Sequence, residues 1–191
     1  RHKGSLGNDI TLVLNYRGNL GGESTPAGIA IAITAMANGA TDPDLTAAIT
    51  AMGDEEYDFI LHPYSDATSL DALQTEMNDV TGRWAWSRQV YGHCYTAKRG
   101  TLSALTTLGA SRNDPHHTIA GFEADVPNPA WEYAVAYGAR NAKFISIDPA
   151  RPTQTGELLG ILPAPQGKRF LLTERQSLLT KGIASSYVGG G

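Results

Sequence analysis

From Pro43 onward the chain alternates short apolar runs with stretches of helical periodicity, and this rhythm limits the fold more than any other feature. PDLTAAITAM reads as a helix with Pro43 in its first turn and Asp42 as its cap. EYDFILHP is a short aromatic and branched strand. SLDALQTEMNDV is a second helix, with Leu70, Leu73 and Met77 at helical spacing and Thr68 or Ser69 as cap. VYGHCYTA and HTIAGF are further strands, separated by the helix TLSALTTLGA. PAWEYAVAYGARNA, opened by Pro129, is the next helix, and KFISIDP reads as a strand after it. TERQSLLTKG closes the series as a helix capped by Thr173 and stopped by Gly182, followed by the strand IASSYV. Strands that alternate with helices predict an α/β fold: a parallel-type sheet flanked by helices and joined by crossovers. Short, largely apolar strands suit a sheet buried on both faces.

The first part of the chain has a different period. DITLVLNY places Ile10, Leu12, Leu14 and Tyr16 on one side, and AGIAIAITAMA does the same with Ile29, Ile31 and Ile33. Between them lies the turn-rich RGNLGGESTP. This predicts a small antiparallel β appendage over residues 1–37, ahead of an α/β domain over 38–191. Two strands alone are marginally stable, so the pair reads as the remnant of a β-rich domain whose other strands lie upstream. The start at RHKG without Met and the end in GGG read as cuts through a longer polypeptide. The Pro-rich stretch 151–165 reads as an extended segment covering the domain.

The residues that carry chemistry do not assemble into a recognisable site. A thiol nucleophile needs an imidazole and an orienting group, and Cys94 is the only cysteine. It lies inside a strand, where adjacent His93 points to the opposite face. A hydrolase-like α/β enzyme using Cys94 with a histidine is the rival reading from another functional class. His116 and His117 lack the spacings that zinc favours, so neither a metal nor a cofactor is expected. GILPAPQGKR has neither the spacing nor the Ser or Thr of a phosphate loop, and no G-x-S-x-G elbow occurs. One cysteine also leaves no internal disulfide to form. The apolar runs are too short to span a bilayer, and a net charge of −4 without a basic block argues against direct nucleic-acid binding.

Charged residues make up only 18% of the chain, against about 25% in ordinary globular proteins, which leaves surface suited to other protein. In that light the order of motifs is informative. GNDITLVLNYRG, GGESTPAG, GATDPDL, DEEYDFI, YGHCYTAKRGTLSAL, SRNDPHHTIAGF, NPAWEYAVAYGARNA, DPARPTQTGELLGILPAP and LLTERQSLLTKGIA follow one another along nearly the whole chain. Together they resemble the tail sheath proteins of contractile bacteriophages, especially those of Mu-like phages and prophages. The resemblance implies that residues 1–37 end a β-sandwich domain and that 38–191 form a central α/β domain of subtilisin-like topology. It implies a structural, non-enzymatic role: hexameric rings stacked in a helix around the tail tube, contracting to drive the tube through the host envelope. The implied partners are other copies, the tube protein, the baseplate and the tail terminator. The implied place is the virion tail, assembled in the host cytoplasm. A tailocin or related injection machine is the alternative within this class. Without the arms that link neighbouring subunits, this stretch alone is expected to be monomeric or weakly associated.

The candidate contact residues follow from charge and aromaticity. Lys98 and Arg99 form a basic pair at a strand-to-helix junction, suited to an acidic stretch such as Asp54, Glu55 and Glu56 on a neighbour. Arg112 sits in a polar loop. Trp84 and Trp86 read as core residues with an exposed edge or, if exposed, as interface anchors.

Overall fold

A computed structural model describes residues 5–19, 22–153 and 156–189. After a 3-10 turn at Ser5–Asp9, the elements are α1 (Thr46–Met52), β1 (Phe59–Leu61), α2 (Ala67–Met77), β2 (His93–Gly100), α3 (Leu102–Ala110) and β3 (His117–Glu123). They continue with α4 (Ala130–Ile147), α5 (Leu172–Thr180) and β4 (Ile183–Ser185). The four strands form one sheet in the order β1-β2-β3-β4, and every pair is parallel. Tyr95 of β2 stands beside Leu61 on one side and Thr118 on the other, so β2 runs through the middle of the sheet.

Alternation along the strands divides the core into two faces. Ala97, Ala120 and Phe122 pack on α4 through Ala130, Tyr133 and Ala134. The rings of Phe122 and Tyr133 stack at 4.2 Å, 4° from parallel. Ile119 and Ile183 face the other way, against Leu70, Leu105 and Leu178 from α2, α3 and α5. Cys94 extends that face toward Leu73 and Met77. Of the predicted covering stretch, residues 156–165 pack on the α4 side: Ala164 is buried there, with Leu158 and Ile161 beside it; 154–155 lie outside the described residues.

Helix ends follow local hydrogen bonding, and several differ from the sequence expectation. α1 begins at Thr46, beyond Asp42 and Pro43, where Asp44 Oδ1 accepts from the Thr46 amide at 2.9 Å. α2 is capped by Asp66, which accepts from Ser69 N at 2.8 Å, in place of Thr68 or Ser69. At α5 the Glu174 carboxylate reaches back to the Leu171 amide at 2.7 Å, so Thr173 is not the cap. Gly182 ends α5 with φ +77 and donates to Leu179 O, a left-handed stop that suits glycine.

Three predicted strands are not formed. KFISI continues α4 to Ile147, because the four-residue spacing puts the Arg140 guanidinium against the Phe144 ring. The antiparallel appendage is also absent among the described residues: neither 9–16 nor 27–37 contains a strand, and the sheet is wholly parallel. Leu12, Val13, Ile29, Ile31 and Ile33 are exposed. Alternation specifies a strand only when another layer covers one face, and the described residues supply no such layer.

Gly109 of α3 shows how closely the face that carries Ile183 is packed. A Cβ placed there would stand 2.3 Å from the backbone oxygen of Lys181. Gly109→Ala is expected to lower stability by about 1–3 kcal/mol in urea unfolding, whereas Ala in an unobstructed helix would raise it. Gly167→Ala, with nothing within 4 Å of its Cβ, serves as the neutral control.

Candidate functional site

Cys94 is wholly buried between β2 and α2, and burial, reinforced by the charge of Asp114, pushes its thiol up to about 12. His93 lies on the opposite face and meets Thr118 Oγ1 at 2.8 Å. His117 is the register partner of Cys94 on β3, but its Nε2 lies 2.9 Å from Nε2 of His62. Burial holds both rings neutral, lowering His62 to about 4 and His117 to about 3. A protonated thiol without solvent access is no nucleophile, so the Cys94 hydrolase reading fails. Among the described residues no group of three or more His, Cys, Asp or Glu side chains is placed to hold a metal ion. None of the described helices is long and apolar enough to cross a membrane.

The polar groups gather instead at the amino ends of the strands. Arg83 is fully buried there and organises two loops at once. Its Nη1 donates to Gly53 O at 2.7 Å, its Nη2 donates to Glu55 O, and Glu76 lies 3.8 Å from Nη1. Arg88 adds a second tie, to Asp54 at 2.9 Å and to Glu76 at 3.1 Å. The 53–58 loop is thereby fixed to the loop leading into β2. Arg83 was not singled out from sequence, since GRWAWSRQ gives no sign of which of its residues turn inward.

The two tryptophans of that loop separate. Trp84 donates from Nε1 to Gly92 O at 2.9 Å and stacks on His116 at 4.3 Å. Trp86 projects outward at 88% exposure, with Val80 nearby in sequence at 83%. The charged candidates separate too. Arg99 donates to Asn128 O and Asp9 O, within its own chain. Arg112 pairs with Asp71, and Asp54 with Arg88. The Lys98, Glu55 and Glu56 side chains form no ion pair among the described residues. The basic pair and the acidic loop do not meet within one copy. Lys98 lies near the carboxyl end of β2, and the 53–58 loop enters β1 at the amino end.

Residues 38–191 match the family model described as the phage tail sheath protein central domain. The chain belongs to the phage tail sheath family. Across all 191 residues it is 39% identical to the Mu-like prophage FluMu tail sheath protein of Haemophilus influenzae, and it spans 38% of that relative's length. Tail sheath proteins are structural and are not enzymes, in keeping with the buried thiol. In this family the informative surfaces are those that meet protein.

Two outcomes test this site. Native protein is expected to react with a thiol reagent far more slowly than urea-unfolded protein; equal rates would contradict the burial of Cys94. The neutral His62–His117 pair also makes stability depend on pH. The unfolded rings titrate near 6.5 and the folded ones near 4 and 3, so unfolding takes up protons between those values. The stability is fully present above pH 6.5 and is lost as pH falls toward 4. Going from pH 7 to pH 5 is expected to cost about 1–3 kcal/mol in urea unfolding, and His117→Gln is expected to flatten that slope.

Proposed function

We propose that this chain is the central domain of a subunit that polymerises as stacked hexameric rings around a tail tube and contracts to drive the tube through the host envelope. The observation that carries the proposal is the match of residues 38–191 to the tail sheath central domain. The subunit belongs to the virion tail, is assembled in the host cytoplasm, and meets the tube, the baseplate and the tail terminator. Residues 1–37 belong to a neighbouring β-sandwich domain, whose remaining strands would cover Ile29, Ile31 and Ile33, exposed here. The topology of the whole central domain is subtilisin-like.

The work of contraction requires no bound nucleotide. It requires two packings of the same subunits that differ in free energy. A difference of about 1–2 kcal/mol per subunit, on the scale of one hydrogen bond, accumulates over many identical copies. Of the candidate contacts, Trp86, Lys98, Glu55 and Glu56 remain available to a neighbour, whereas Trp84, Arg99, Arg112 and Asp54 have partners inside the chain.

Negative-stain microscopy of the complete sheath polypeptide that carries this domain is the test. Rods or stacked rings are expected. Soluble monomers under every condition of salt and concentration would overturn the proposal.

A further inference from the structure

We propose that the Asn38–Gly39 bond is a latent site of spontaneous deamidation, held closed by Asn8, and that its reaction unlatches residues 9–38 from the α/β unit. The inference is independent of the sheath reading. Asn38-Gly39 is the only Asn-Gly pair in the chain. A glycine after asparagine leaves the next backbone nitrogen with no side chain to hinder its approach to the amide carbon. This dipeptide is therefore the one most open to the reaction.

Asn38 is exposed and lies in the left-handed region, at φ +63, a conformation asparagine tolerates. Thr41, three residues on, is held at φ +76, where a β-branched residue is strained. Asn8 fixes this segment with two reciprocal hydrogen bonds. Its Nδ2 donates to Gly39 O and its Oδ1 accepts from Gly39 N, both at 2.9 Å. The clasp joins residues 31 apart in sequence and closes the excursion 9–38 at its base. Its other side is anchored next door, where Arg99 donates to Asp9 O at 3.3 Å and to Asn128 O.

The chemistry turns on which atom is clasped. Deamidation begins when Gly39 N gives its proton to a solvent base and bonds to Cγ of Asn38. The Cγ–Nδ2 bond breaks, ammonia leaves with a proton from water, and a cyclic imide remains. Water then opens the ring. Cleavage at Cγ gives aspartate at position 38, and cleavage at the backbone carbonyl gives isoaspartate. The proton that must leave is the one donated to Asn8 Oδ1, and the same bond fixes Gly39 N in place. A hydrogen-bonded amide releases its proton only on local opening, so the reaction waits for the clasp to open.

The product keeps the clasp from closing again. Isoaspartate carries the main chain through Cβ and Cγ, which lengthens it between Ala37 and Gly39. Gly39 then no longer presents its N–H and C=O to Asn8 in register. The leaving end of the excursion stays tied by Arg99 to Asp9 and Thr11, while the returning end at Gly39 is freed.

Native and urea-unfolded protein are aged side by side at mildly alkaline pH, and peptide mass spectrometry locates the change from amide to carboxyl at residue 38. Unfolded protein is expected to react about tenfold faster than native protein, the scale of losing two hydrogen bonds. Asn8→Ala, shown by its urea midpoint to be folded, is expected to bring the native rate close to the unfolded one. Asn8→Asp keeps the acceptor for Gly39 N–H and loses the donor to Gly39 O, so it is expected to stay slow. Equal rates in native and unfolded protein, or an Asn8→Ala rate no faster than the unaltered one, would overturn the proposal. Asn8→Asp reacting as fast as Asn8→Ala would refute the shielding of Gly39 N. Should Asn8→Ala not fold, hydrogen exchange at Gly39 N–H decides: slow exchange is expected, and exchange at the rate of a free peptide sinks the clasp. Aged protein is also expected to be cut within 9–38 several-fold faster than fresh protein, and unchanged cleavage would refute the unlatching.

Discussion

A parallel sheet of short strands must be covered on both faces, because its strands are apolar on both. That requirement arranges most of this domain. β2 and β3 place alternate side chains into two cores, one under α4 and one under α2, α3 and α5. Cys94, Thr96 and Ala97 are fully buried as a result. With the faces covered, polar groups and irregular backbone are confined to the ends of the strands, where loops connect one layer to the next. The surfaces a neighbour can reach are therefore loop ends and helix backs.

The amino end shows how such a surface is made rigid. A buried cation is costly unless it is paired, and Arg83 meets two backbone carbonyls and a nearby carboxylate through its Nη groups, although its Nε has no hydrogen-bond partner among the described residues. Its position joins the acidic loop to the tryptophan loop without any regular element between them. Trp84 then packs inward on His116, so Trp86, two residues on, has no interior to enter. Structural polarity inside and an aromatic projection outside follow from one arginine.

The histidines and the cysteine belong to the same economy of burial. His62 and His117 share a hydrogen bond under the sheet, and burial keeps both uncharged. Their cluster resembles a reactive centre in the sequence but lacks an ionisable thiol and open solvent access. A structural protein of the tail sheath family has no need of one. Its interior consists of two apolar cores on either side of β2.

The sequence by itself determined the alternation of strand and helix after Pro43, the parallel sheet, the stop at Gly182, and the family through its ordered motifs. These follow from local periodicity, turn chemistry and identity along the chain, none of which needs a distant partner. It did not determine the extension of α4 through KFISI, or the fate of the apolar alternation in residues 9–37. In the first case a pair four residues apart, Arg140 and Phe144, carries the helix on; in the second the period was real, but the described residues supply no layer to cover it. It also left Trp84 and Trp86 equivalent, along with the cations Lys98, Arg99 and Arg112. Only the tertiary structure separated them, since a side chain becomes interior or exposed according to which backbone carbonyls, rings and carboxylates the fold brings to it.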